Sequence, residues 1–471
     1  MTTKGMTETT AATSSRHLMT YSRASAFRTC PYREYLRYEV GLRPISDAAP
    51  LRFGSLWHDL MERVYLFQRW LDQKGLEVHG GSDAFEILSG TLWPKLWPAV
   101  SAQETPFIDP GDPINTWVAK QKAVSVEVYS DFLGGNEQRP CYDPEKIEEM
   151  AVLARSMLER YLKHWWDLDR TRWEVLWVEP EIRTALLTRL GNPSTKWDIG
   201  GKLDAVVRDR STGKILVIEH KSTAGDPAVL FESLRVDPQV VGYGWMLVQA
   251  GICKEDELGG AMYRVSRKKL PAVPKRNQCP GKKADGVTTY KDPITSKRVK
   301  DHSSCALCGG SNLGPCSEAA IDTTPEVYAA ALTKAQENGF EPTPKHLERL
   351  DELRRRGPEV WLDEKHRSIQ PHDLDRWAVE MYATSLAKNA AQLAGEGGHW
   401  RAGDAAICRR FGRGCDYTDI CERFEADSLE AWKEDIMLQQ LYELRRPHEE
   451  LDRVAGSDVQ TSADKEQLPI F

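Results

Sequence analysis

Gly201-Lys202-Leu203-Asp204-Ala205-Val206-Val207-Arg208, Asp209-Arg210-Ser211-Thr212-Gly213 and Lys214-Ile215-Leu216-Val217-Ile218-Glu219-His220-Lys221 read as strand, turn and strand. The second strand is apolar on both faces until Glu219, the pattern of a central buried strand. Glu219 and Lys221 stand two apart, so their side chains leave the same face. A hairpin centred between Ser211 and Thr212 opposes residues whose numbers sum to 423, and that pairs Asp204 with Glu219. Directly opposed residues hold their Cβ atoms roughly 4.5–5.5 Å apart. Two carboxylates that close repel unless a cation lies between them, and a metal would offset the burial of charge at the edge of a core. The alternative is a surface hairpin whose Glu and Lys form exposed pairs. A one-residue slip in the turn would put the two acids on opposite faces.

With Gly201 to Asp204 as G-x-x-D and Glu219 to Lys221 as D/E-x-K, the segment resembles the PD-(D/E)XK nuclease superfamily. The nearest likeness is to RecB-like and CRISPR-associated exonucleases and their phage relatives. The resemblance implies that Asp204, Glu219 and the backbone carbonyl of His220 hold Mg²⁺ or Mn²⁺. It implies that Lys221 orients or activates the attacking water and stabilises charge developing on the phosphate. Phe53-Gly54-Ser55-Leu56-Trp57-His58 resembles F-G-(S/T)-x-x-H, whose histidine is a metal ligand in that family. Gln239-Val240-Val241-Gly242-Tyr243 resembles Q-x-x-x-Y, and a spacing of four puts Gln239 and Tyr243 on one helical face. Glu179 resembles the upstream acid of the family, with Glu181 as its rival.

The chain has ten cysteines. No secretory signal is read in Met1 to Ser15, so these are expected to be metal or cluster ligands in a reducing cytoplasm, bacterial or phage-infected, and not disulfides. Cys30, in Phe27-Arg28-Thr29-Cys30-Pro31, is similar to an F-x-x-C-P signature. With Cys408, Cys415 and Cys421 it resembles the one-plus-three set that holds a 4Fe–4S cluster in the iron–sulfur branch of RecB-like nucleases. Spacing alone leaves a cluster and a zinc ion open. Closing so long a loop constrains the unfolded chain by roughly 5 kcal/mol, which suits a structural clasp. A second set, Cys279, Cys305, Cys308 and Cys316, includes a C-x-x-C-G knuckle and is expected to bind zinc. Cys141 and Cys253 read as packing residues.

The length of 471 residues, 41% apolar with 15 tryptophans, is ample for a buried core. The net charge of −7 argues against a broadly basic surface without excluding a local nucleic-acid groove. Arg264 to Lys300 is locally basic, read either as a solvated loop or, with the cysteine insertion, as a DNA contact. Trp165, Trp166 and Trp177 suit core packing better than base stacking. No segment is long enough to span a bilayer. Gln467-Leu468-Pro469-Ile470-Phe471 resembles a bacterial sliding-clamp-binding motif, in which Gln467, Leu468, Ile470 and Phe471 fill an apolar pocket; the bland reading is a fortuitous apolar end.

The expected fold is α/β: a restriction-endonuclease-like mixed sheet flanked by helices, with a helical iron–sulfur lobe and a cysteine-rich insertion. Residues 1–18 are expected to be disordered, 19–170 helical, 171–267 the nuclease core and 268–320 the insertion. Residues 321–450 are expected to be helical and 451–471 a flexible tail. Within this, one helix is expected over Tyr21 to Tyr38, a strand over Lys202 to Arg208 and a last helix over Glu430 to Arg446. The expected activity is a metal-dependent DNA exonuclease working from single-stranded ends in replication, recombination or repair. The rivals are a structure-specific endonuclease and a non-catalytic DNA-binding adaptor.

Overall fold

The computed structural model describes residues 16–44, 49–92, 144–272, 290–291, 298–299, 323–337, 342, 344–357, 360–402, 405–408, 414–423 and 432–445. Its first elements are β1 (His17–Thr20), α1 (Tyr21–Thr29), α2 (Pro31–Tyr35), β2 (Leu42–Pro44), α3 (Ala49–Lys74), α4 (Gly81–Leu92) and α5 (Pro144–Arg172). Next come β3 (Trp173–Val178), β4 (Glu181–Leu187), β5 (Pro193–Lys202), β6 (Ala205–Asp209), β7 (Ile215–Thr223), α6 (Pro227–Leu234), α7 (Gln239–Gln249) and β8 (Leu258–Arg267). After two short strands, β9 (Tyr290–Lys291) and β10 (Arg298–Val299), follow α8 (Pro325–Glu337), α9 (Pro344–Arg355), β11 (Leu362–Arg367) and α10 (Pro371–Leu393). The last are α11 (Ala405–Cys408), α12 (Thr418–Arg423), α13 (Ile436–Leu441) and β12 (Tyr442–Leu444).

The fold is mixed α/β. A five-stranded sheet has the order β11-β8-β7-β6-β3, and a three-stranded sheet the order β1-β5-β4. β7 is central: it runs parallel to β8 and antiparallel to β6. That position explains its unbroken apolar run, because both faces are covered. On one face Val217, Ala261 and Val265 pack with Val241 and Leu247 of α7 and Trp377 of α10. On the other, Leu216, Ile218 and Met262 pack with Tyr65 of α3 and with Trp173. Each fully buried Val, Leu, Ile or Met among these contributes about 1.5–3 kcal/mol. The helices α3, α4 and α5 share a further core that includes Trp57, Phe85, Tyr161, Trp165 and Trp166. The tryptophans at 165 and 166 are thus core residues, and Trp177 packs half-buried against the main core.

Gly242 on α7 allows a close helix contact. A Cβ there would lie 2.4 Å from Cζ2 of Trp377, so only hydrogen lets α7 and α10 meet. In the β6–β7 turn, Asp209 Oδ1 accepts hydrogen bonds from the amides of Ser211 and Thr212, both at 2.8 Å, and Gly213 closes it at φ 72°.

Several expectations need correction. The helix expected over Tyr21 to Tyr38 breaks at Cys30, which is extended (φ −156°, ψ 101°). Its neighbour Pro31 disfavours helical backbone in the preceding residue, and it starts α2 as the first helical residue. Leu36–Val40 then forms a π-helical turn. The strand expected from Lys202 to Arg208 is two strands in different sheets. The amide of Leu203 donates to Pro180 O, and Asp204 O accepts from the amide of Glu179, so the ladder changes partners there. The last helix is only α13, capped by the Asp435 side chain; the chain then turns into β12, paired with β2. Of the tail expected over 1–18, His17 and Leu18 belong to β1, which pairs with β5. Residues 1–15, Cys141, Cys279, Cys305, Cys308, Cys316 and the motif from Gln467 to Phe471 lie outside the described residues. No described helix is long and apolar enough to cross a membrane.

Candidate active site

The β6–β7 ladder pairs Ala205 with Ile218 and Val206 with Val217, the register that sums to 423. Asp204 stands one step before β6, facing the level of Glu219 on β7. Its Oδ2 accepts a hydrogen bond from the amide of His220 at 2.7 Å, which ties the acid to the strand opposite. Its Oδ1 lies 3.0 Å from Nδ1 of His58, carried by α3.

Glu179 completes the group. It follows β3, where the chain must turn to start β4, and it adopts φ 49°, unusual for a side chain with a Cβ. Ligand atoms of His58, Glu179 and Asp204 all lie within 4.8 Å of one another, which among the described residues is the one such group. Lys202 forms an ion pair with Glu179. Glu181 starts β4 opposite Lys202 and is outside this group.

Glu219 and Lys221 point to the α7 face of the sheet. Lys221 Nζ contacts Glu219 Oε1 at 2.5 Å and Gln239 Oε1 at 3.3 Å, and Gln239 Nε2 donates to the Tyr243 hydroxyl at 2.6 Å. The four-residue spacing on α7 therefore builds one chain of polar contacts. The second oxygen of Glu219, Oε2, is buried without a hydrogen-bond partner. A buried carboxylate oxygen left this way has a large desolvation cost and suits a cation.

The electrostatics agree. Burial, then the charge of Asp204, pushes the Glu219 carboxyl up to about 7, against the pull of Lys221. Glu179 is likewise raised to about 7, first by burial, with Lys202 opposing and Asp204 adding to it. Burial disfavours ionised Asp204, yet His58 and the His220 amide hold it below the ordinary carboxylate range. Burial disfavours protonated His58, but Asp204, Glu219 and Glu179 raise it above the usual imidazole value. Burial, with the charge of Asp204, thus makes both acids reluctant to ionise despite their lysine partners. The donors fit a hard divalent cation such as Mg²⁺ or Mn²⁺, with carboxylate oxygens in the majority and one imidazole.

The sequence profile described as PD-(D/E)XK nuclease superfamily matches residues 18–422. The chain belongs to the PD-(D/E)XK nuclease superfamily. Metal-dependent hydrolysis of nucleic acid is the reaction class of that superfamily. No curated protein matches the chain.

Behind the site of this nuclease lies a network that the sequence did not announce. His220 is fully buried, its ring turned to the other face of the sheet, with Nε2 3.2 Å from the Tyr65 hydroxyl. Tyr65 meets Tyr161 at 3.2 Å, Tyr161 accepts from Arg264 at 2.7 Å, and Arg264 binds Asp169 through both terminal nitrogens at 2.5 and 2.6 Å. Burial pushes the His220 imidazole down to about 3, so it is neutral. Arg264, which the sequence reading placed in a locally basic stretch, is 1% exposed. Tyr65 had a signal: it lies seven residues after His58, on the same face of α3.

The cysteines at 30, 408, 415 and 421 are free thiols. Cys30, Cys415 and Cys421 pack against one apolar cluster with Tyr32, Leu36, Leu42, Tyr417 and Tyr442. The amide of Cys415 donates to Cys408 O at 2.7 Å. Burial first, with Cys30, Cys408 and Cys415 nearby and Arg401 opposing, raises the Cys421 thiol. The fold thus brings Cys30 near cysteines 378 or more residues later in the sequence. Cys253 is buried in the main core, as a packing residue is.

Proposed function

We propose that this nuclease is a metal-dependent DNA exonuclease that hydrolyses phosphodiester bonds from single-stranded ends in replication, recombination or repair. The observation that carries the reading is the meeting of His58, Glu179 and Asp204 beside Glu219 and Lys221, with a buried Glu219 oxygen left unpartnered.

His58, Glu179, Asp204 and Glu219 would hold Mg²⁺ or Mn²⁺, with the His220 carbonyl as a further donor. A bound ion of this kind supplies a Lewis acid to phosphoryl oxygens and lowers the pKa of water. Lys221, steadied by Glu219 and Gln239, orients the attacking water and offers positive charge where the phosphate gains negative charge. Gln239 and Tyr243 brace that ammonium and present polar atoms towards the substrate. The buried Tyr65–His220 contact fixes the strand whose amide orients Asp204.

End-labelled single-stranded DNA tests the reading. Digestion that requires Mg²⁺ or Mn²⁺ and stops with chelator is expected, with circular single strands left intact. Cleavage of circles would replace the exonuclease by an endonuclease. Lys221→Ala is expected to lose activity while keeping DNA binding; unchanged turnover would sink the assignment of Lys221.

The four-thiol lobe supports a 4Fe–4S clasp between α1–α2 and the α11–α12 segment. Protein purified anaerobically is expected to be brown, with a broad band near 400 nm and matching iron and sulfide. Colourless, iron-free and active protein would defeat this part.

A further inference from the structure

A cavity of about 250 Å³ adjoins the candidate site, because Lys202, Gln239 and Tyr243 line both. Its wall also carries Arg37, from the π-helical turn, and Arg43, from β2. The Tyr38 phenol registers these charges: burial raises it, while Arg37, Arg23 and Arg43 each pull it down. Of these three guanidinium groups, Arg23 is neutralised by Glu34 at 2.7 Å and Glu39 at 3.0 Å. Arg37 and Arg43 are not. Among the described residues neither forms an ion pair, and Nε of each is buried without a hydrogen-bond partner. Two guanidinium groups around one ring repel each other, and among the described residues the Nε of each lacks an acceptor.

A phosphate answers both deficits, since its oxygens match the guanidinium fork. From this we infer that Arg37 and Arg43 form a phosphate-binding subsite for the backbone of a single nucleic-acid strand next to the scissile bond. The subsite rests on the nuclease reading for its substrate. The cavity is on the scale of one nucleotide, which favours a single strand. From it, Tyr243, Gln239, Lys221 and Glu219 lead in consecutive polar contacts to the carboxylates. The cavity and the candidate centre thus share a wall of Lys202, Gln239 and Tyr243.

The test uses the full chain and a fluorescein-labelled twelve-residue oligothymidylate. Anisotropy in Ca²⁺ gives Kd, and cleavage in Mg²⁺ gives kcat and KM. Arg37→Gln/Arg43→Gln is expected to raise Kd and KM at least tenfold with kcat nearly unchanged. The slope of log K against log salt should fall by roughly 0.7 for each lost phosphate contact. Arg354→Gln, at an exposed pair on α9, should change nothing. A double variant with wild-type Kd, KM and salt slope would overturn the subsite. If the double variant does not fold, phenylglyoxal labelling of the wild type decides: the oligonucleotide should protect Arg37 and Arg43, and equal labelling with and without it overturns the subsite. A blunt duplex competing as well as single strands removes the single-strand assignment. Wild type that binds through these arginines and never cleaves would sink the nuclease reading and leave the subsite standing.

Discussion

Hydroxyl groups set the residue scale in this molecule. The Tyr65 OH stands between His220 Nε2 and the Tyr161 OH, both 3.2 Å away and all three buried. Tyr65→Phe keeps the ring, strands His220 Nε2 and leaves the Tyr161 hydroxyl with Arg264 alone, which costs about 1–3 kcal/mol. Urea denaturation should show that loss with an unchanged m-value; a variant as stable as wild type would mean the network is idle. Asp204→Ala removes the acid that the His220 amide and His58 both engage. Cleavage should fall at least a hundredfold while near-wild-type melting is retained, as a steady-state assay beside a thermal melt would show. The position of Asp204 was legible because a symmetric turn fixes register, and register fixes which acid faces which. Arg264 was not: a charge written in sequence says nothing of its depth, and a bidentate aspartate from α5, ninety-five residues earlier, decides it.

At the scale of elements, close approach matters most. Gly242→Ala would press a methyl into the Trp377 ring, and overpacking of this kind costs about 1–3 kcal/mol. Since α7 also carries Gln239 and Tyr243, both stability and KM should suffer, whereas Gly191→Ala, with open space around its Cβ, should leave KM alone. Equal KM values for the two variants would disconnect the helix from the site. The strand β3 was readable from its apolar alternation, and β7 from its unbroken apolar run. β1 was missed because four residues hold no period. β5 was missed because Gly200 and Gly201 interrupt any alternation, and the residues from Trp197 to Gly200 are all buried. The break at Cys30 could have been read from Pro31.

At the scale of the molecule, a buried ion network fastens the chain's beginning to α10. Glu34 and Lys388 are fully buried and paired, Arg23 joins Glu34, and Glu39 joins both cations. Lys388→Met leaves acid buried with one counter-charge, and breaking such a pair costs about 3–5 kcal/mol. Glu34→Gln with Lys388→Met should recover part of that loss in a double-mutant cycle, and strictly additive effects would refute the coupling. None of this was visible beforehand, because pairing across 354 residues has no local signature. The family's outline was visible, through motifs whose order along the chain survives any insertion between them.

The parallel pairing of β1 with β5 carries a consequence for synthesis. Backbone donors of His17 to Thr20 wait for a neighbour translated some 180 residues later, and Tyr32, Leu36 and Leu42 wait for Tyr417, Leu438 and Tyr442. The segment from His17 to Leu42 therefore leaves backbone donors and apolar side chains without their native partners until both distant segments have been made. Loops this long close slowly, so this segment docks late in folding.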